Sequence, residues 1–140
     1  MKTLNGRFQA VAHNGMRIAV GLMFFTHGAQ KLFGWFGQGG RTLDLLSRFG
    51  IAGVLETFGG LLIVLGLCTR PVAFVLAGQM TVAYFWMHAA QNDSLWWWAN
   101  RGELAALYAW VFFAIAALGG GSFSVDGWLN ARKGAPAAER

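Results

Sequence analysis

Six side chains stand where they could do chemistry from apolar surroundings: His27, Gln30, Lys31, Glu56, His88 and Glu103. An imidazole, an ammonium or a carboxylate inside an apolar stretch is costly, about 2.5–3.5 kcal/mol for a charged group at mid-membrane. Such groups therefore face an interior, pair with each other, or sit near an end. His27 and Lys31 are four residues apart, with Gln30 three after His27, which puts all three on one helical face. Arg17, fourteen before Lys31, falls on roughly the same stripe. Glu56 lies three and four residues before Gly59 and Gly60, small residues that let helices approach closely. A Lys31–Glu56 or His27–Glu56 pair is the leading expected contact.

Three uses fit such a cluster. The charges could neutralise one another and lock helix register. They could line a polar pocket for a small molecule or a quinone head group. They could also form a proton or solute path, although only Gln79 lies near the middle of an apolar stretch. Haem held between His27 and His88 is disfavoured, because the two lie at different depths in their stretches. His27, Glu56, His88 and Glu103 are suitable metal-ligand types, but no spacing such as E-x-x-H supports a metal site. The single cysteine, Cys68, excludes an internal disulfide, a Cys-rich zinc site and a C-x-x-C pair, and reads as a small packing residue. No Ser-His-Asp order, phosphate loop or dinucleotide glycine signature occurs in a usable context.

The elements that must position these residues follow from composition. Of 140 residues, 56% are hydrophobic and only 12% charged, with a mean hydropathy of +0.45. Soluble domains carry charge on roughly a quarter of their residues, so this chain cannot coat a water-facing globule. A 15% aromatic content excludes disorder as well. The net charge of +5 does not indicate nucleic acid, since the basic residues sit singly or in one pair at the edges of apolar runs. An integral membrane protein is expected, all-α, with the lipid bilayer as its first partner.

Four apolar stretches are each about long enough to span a bilayer core, which takes roughly 17–25 helical residues. They cover about 15–36, 51–68, 71–90 and 102–121 and predict a four-helix transmembrane bundle. Pro71 suits the first turn of a helix, so 51–68 and 71–90 read as a tight hairpin. Leu43, Leu46 and Phe49 fall at helical spacing, which predicts a short interfacial helix between the first two spans. Trp96, Trp97 and Trp98 read as an interfacial aromatic belt. If the chain alternates direction, His27, Lys31, Glu56, His88 and Glu103 all fall in the same half of the bundle. With both termini on one side, that side holds Lys2, Arg7, Arg17, Arg70, Arg132, Lys133 and Arg140. The opposite side holds Lys31, Arg41, Arg48 and Arg101, so the bias places both termini in the cytoplasm. Residues 1–14 then form a cytoplasmic segment and 122–140 a cytoplasmic tail, of which A-R-K-G-A-P-A-A-E-R at 131–140 is polar and expected to fray. His27, Gln30 and Lys31 argue against a cleaved signal peptide.

The segments R-I-A-V-G-L-M-F-F-T-H-G-A-Q-K-L-F-G-W-F at 17–36 and L-E-T-F-G-G-L-L-I-V-L-G-L-C-T-R-P at 55–71 resemble the DoxX family of small four-span bacterial membrane proteins. The likeness covers nearly the whole chain. Its most specific parts are HG-x-x-K at His27–Lys31 and the run from Glu56 to Arg70. The family name is shared with subunits of a thiosulfate:quinone oxidoreductase or terminal quinol oxidase, and other relatives are associated with redox-stress complexes. The resemblance therefore implies an inner-membrane subunit, a partner oxidoreductase or self-association, and access to the quinone pool. His27, Lys31, Glu56 and Arg70 match motif positions. A non-enzymatic assembly protein and a small-solute or proton transporter are the alternatives.

Overall fold

The computed structural model describes residues 2–37 and 45–134, and within them every regular element is helical. Helix α1 spans Lys2–Phe33 and is followed by a single 3₁₀ turn at Trp35–Gly37. Helix α2 spans Arg48–Leu65, and α3 spans Thr69–Ala83 and continues through a π-helical turn at Tyr84–Ala89. The short α4 (Trp97–Asn100), α5 (Glu103–Leu118) and α6 (Val125–Gly134) complete the order.

Local chemistry sets these limits. Ser47 opens α2, its Oγ accepting the Gly50 N–H at 3.1 Å. Gly66, at φ 68°, closes it, and the Gly66 and Leu67 N–H groups return to the Ile63 and Leu62 carbonyls. This is the glycine-terminated helix end that satisfies otherwise orphaned carbonyls. Pro71 does fall in the first turn of α3.

Three sequence expectations change. The expected span at 15–36 takes in the later part of α1, which ends at Phe33, and part of the turn after it, and α1 itself starts at Lys2 with no proline to interrupt 2–14. The stretch expected to fray, 131–140, begins inside α6, which runs to Gly134 and opens with Ser124 Oγ accepting the Gly127 N–H at 3.0 Å, while 135–140 lie outside the described residues. Of the expected interfacial helix, Leu43 lies outside the described residues. Leu46 sits in a turn, and Phe49 belongs to the first turn of α2.

Two helical stretches, Arg48–Leu65 and Thr69–Ala89, are long and apolar enough to cross a membrane, and Glu103–Leu118 is a shorter apolar helix. Only 39% and 33% of the residues in the two long stretches are buried. The core helix of a water-soluble protein would be mostly buried, so this much exposed apolar surface suits a membrane protein. Phe58, Phe74, Phe85, Trp110 and Phe113 all point outward. An outer surface this apolar suits hydrocarbon.

The chain divides into two compact units, Met1–Thr69 with Gly119–Arg140, and Arg70–Leu118. In the first, α1 and α2 run antiparallel, because Lys31 meets Glu56 at one end and Arg17 meets Ile63 at the other. Their backbones nearly touch. A Cβ on Gly60 would stand 2.6 Å from the Phe25 nitrogen, and one on Gly28 would meet Thr57 and lie 2.8 Å from the Glu56 carbonyl carbon. Because the obstructing atoms are backbone, no rotamer change relieves the clash. Gly28→Ala is expected to destabilise the pair by about 2 kcal/mol. Gly15→Ala, with nothing within 4 Å of its new methyl group, should be neutral or stabilising by about 0.5–1 kcal/mol. Thermal unfolding of the two variants checks this, and equal shifts would contradict the close approach.

In the second unit Leu76, Ala77, Met80, Tyr84, Ala105, Tyr108 and Phe112 are buried, with the Tyr108 and Phe112 rings stacked at 5.9 Å.

Candidate functional site

The close approach of α1 and α2 is what brings the first set of polar residues together. Glu56 lies one turn after Gly53 and one turn before Gly60, on the face where α2 meets α1. Lys31 Nζ donates to Glu56 Oε1 at 2.5 Å and to Oε2 at 2.7 Å. The two partners are unequally covered, with 34% of the lysine side chain exposed against 3% of the glutamate. His27, one turn before Lys31, is half-buried and close enough to act electrostatically on Glu56. Gln30 is also half-buried. Thr57 turns its hydroxyl to the Gly53 carbonyl at 2.7 Å and so offers no free donor to the cluster.

An ammonium has three N–H donors. Among the described residues, two of these go to Glu56, and the partly exposed ammonium has a third.

At the other end of α1 a second polar cluster is built on Arg17, which is fully buried. Its Nη1 donates to the Ile63 carbonyl and, at 2.7 Å, to the Val64 carbonyl, while Nη2 donates to the Phe123 carbonyl at 2.5 Å. The cation thus sits on the last turn of α2, where carbonyls are unpaired and the helix dipole is negative. Asn14 adds to the junction, since its Oδ1 accepts the Phe123 N–H at 3.2 Å. His13 Nε2 donates to the Gly119 carbonyl at 2.8 Å.

Asp126 joins the first turn of α6 to the 66–69 turn. Its two oxygens accept the Cys68 and Thr69 N–H groups at 2.9 and 2.8 Å, and its own N–H donates to the Gly66 carbonyl at 2.9 Å. Desolvation alone would raise this carboxyl, but the hydrogen bonds from Thr69 and Cys68 and the nearby Arg17 charge outweigh it and hold it below the ordinary aspartate value. A carboxyl whose value falls on folding stabilises the fold above its unfolded value and loses that contribution as pH drops through the folded one. Docking of α6 should therefore be complete at neutral pH and weaken only in acid. In a pH titration the Cys68 and Thr69 amide shifts should show a midpoint below that of a free aspartate. A midpoint at or above it would contradict this capping role.

The second unit holds His88 and Glu103. His88 is half-buried within the π-helical turn, and its carbonyl accepts from Asn92 Nδ2 at 2.9 Å. Glu103 is exposed in the first turn of α5, where a negative charge suits the helix dipole.

The polar centre of this unit is Asn100, which sequence reasoning did not single out. It is fully buried, donates to the Ser94 carbonyl at 3.0 Å and accepts the Gly102 N–H at 2.7 Å. Tyr84 donates to the Leu95 carbonyl at 2.5 Å, completing the knot that shapes the 91–102 connection. Trp96 and Trp98 stack at 4.8 Å, both exposed. Between α3 and α5 lies a groove of about 640 Å³ lined by Phe74, Ala77, Gly78, Trp97, Ala106 and Trp110 among others. Among the described residues, no three His, Cys, Asp or Glu side chains stand close enough to hold a metal ion.

The DoxX family model matches residues 14–89, which contain α2 and α3 and both polar residues of the Lys31–Glu56 pair. An uncharacterized protein of Haemophilus influenzae is 38% identical over 116 residues, covering 79% of this chain and 85% of that protein. No solved structure matches the chain.

Proposed function

Since the chain belongs to the DoxX family, we propose that it is a four-span subunit of a redox complex in the bacterial inner membrane, one that presents a polar site to quinone. The family and the outward-facing apolar helices point to a membrane protein. The single observation carrying the functional reading is the uneven ion pair. Glu56 is buried and engaged through both oxygens, while Lys31 is partly exposed and, among the described residues, spends two of its three donors on Glu56.

A quinone supplies two-electron, two-proton redox chemistry when bound. The chain's own contribution is to position and to hold charge. Lys31 would hydrogen-bond a carbonyl oxygen, with His27 and Gln30 on the same face as further polar contacts. Glu56 fixes the ammonium in place and is the one carboxylate of the cluster able to take up a proton. None of these side chains is itself a redox centre, so electrons come from a partner subunit. In this reading both termini are cytoplasmic and the site faces the periplasmic side.

Purification in mild detergent tests the assembly. A redox-active membrane partner in fixed ratio is the expected result, and a stable lone homodimer would count against it. A second reading rests on one specific observation, that Lys31 satisfies both Glu56 oxygens. A pair so closed on itself also describes a purely structural lock in an assembly protein. Glu56→Gln separates the two. Loss of quinone-linked activity with protein level retained supports the site, whereas equal loss of both supports the lock.

A further inference from the structure

The α6 helix begins where a membrane-crossing helix ends. Asp126 and the Arg17 contact to Phe123 fix its first turn to the 63–69 region, which closes α2. If α2 spans the bilayer, α6 starts at the level of the lipid headgroups. Only this first turn is docked. Phe123 just before the helix is 76% exposed, Trp128 54% and Leu129 38%. One turn after Trp128 and Leu129 come Arg132 and Lys133, also exposed.

The Arg132 guanidinium carbon lies 4.4 Å from the Trp128 ring centroid. A cation laid over an indole keeps an apolar body and a charged head side by side, an arrangement suited to a boundary between hydrocarbon and water. The one acidic residue of α6, Asp126, is committed to the Cys68 and Thr69 N–H groups. The last turn therefore presents positive charge without a neutralising acid on its own helix.

We infer that α6 is an interfacial helix that binds anionic phospholipid headgroups, with Phe123, Trp128 and Leu129 in the headgroup–acyl boundary and Arg132 and Lys133 on the phosphates. The inference does not depend on the quinone reading. It gives the C-terminal helix a role as a lipid-sensing clip on the α1–α2 pair, because the same segment supplies the Phe123 carbonyl to Arg17.

The test uses the full-length chain. In detergent, native mass spectrometry with phosphatidylglycerol and phosphatidylcholine should show preferential retention of the anionic lipid. Arg132→Gln/Lys133→Gln should reduce that preference by about twenty-five-fold, taking about five-fold per basic residue near a charged surface. Both side chains are exposed, so the variant should keep the wild-type unfolding temperature. As a second measurement, a fluorophore on Leu129→Cys in a Cys68→Ser background is followed in vesicles. It should be quenched by headgroup-labelled lipid, more so when phosphatidylglycerol is present. Unchanged lipid preference in the double variant would overturn the inference, as would a fluorophore open to aqueous quencher in both vesicle types. Shielding that depends on protein density but not on lipid charge would assign the face to a second copy and overturn it equally.

Discussion

An Arg17→Met protein is expected to lose about 2–6 kcal/mol of folding stability, the largest effect of any single substitution considered. The guanidinium is fully buried and serves three carbonyls from two distant segments. Methionine fills similar volume but donates nothing. The Ile63 carbonyl keeps the Gly66 N–H, while the Val64 and Phe123 carbonyls lose their Arg17 donor. At about 1–3 kcal/mol for each buried group left unsatisfied, the loss comes to about 2–6 kcal/mol. A domain is stable by only about 5–15 kcal/mol. Loss of the Phe123 contact also releases the connection into α6. Arg17→Lys should recover part of the stability, because an ammonium can still meet the end of α2 but cannot fork to a second segment. Thermal unfolding in detergent measures both variants, and an Arg17→Met transition within a few degrees of wild type would refute the capping role.

The second large effect is an asymmetry between the two halves of the ion pair. Lys31→Met leaves the Glu56 carboxylate buried without its partner, which costs about 3 kcal/mol, the lower end of the range for breaking a buried pair. Glu56→Leu leaves Lys31 instead. One third of that side chain is already exposed, and its long stem lets the ammonium turn toward water, so the cost should be about 1 kcal/mol. The double variant leaves no orphaned charge and should lie within about 1 kcal/mol of wild type. The cycle then gives a coupling of about 3 kcal/mol. Equal single-variant effects that simply add would show that the pair contributes no coupling.

Parts of this were legible in the sequence. The i, i+3, i+4 spacing of His27, Gln30 and Lys31 defines one face of α1 without any structure, and Glu56 beside Gly59 and Gly60 marks where a partner helix could come close. Gly28 and Gly53 complete that approach and could have been noticed from the same reasoning.

The Arg17 cluster was less accessible for a physical reason. Its partners are backbone carbonyls of Ile63, Val64 and Phe123, and a carbonyl is the same whatever side chain accompanies it. Asn100 escaped notice likewise, since its partners include the Ser94 carbonyl and the Gly102 N–H. The α6 helix did carry a signal. Ser124 at its start, Asp126 in its first turn and Arg132 and Lys133 in its last form a helix signature, outweighed in the reading by the polar composition of the segment. The π-helical turn at Tyr84–Ala89 has no such signature, and the apolar run there reads as ordinary helix.

In the proposed function, Lys31 is the donor that a quinone-type carbonyl would meet, with Glu56 holding it in place. Equilibrium binding of a short-chain benzoquinone to the full-length protein in nanodiscs, compared between wild type and Lys31→Met/Glu56→Leu, tests this most directly. The double variant is the right comparison because it should stay folded. Saturable binding by wild type, weakened at least about tenfold in the variant as the loss of a charged hydrogen bond requires, is the predicted result. Equal affinity in the two proteins, or no saturable binding by wild type, would contradict it.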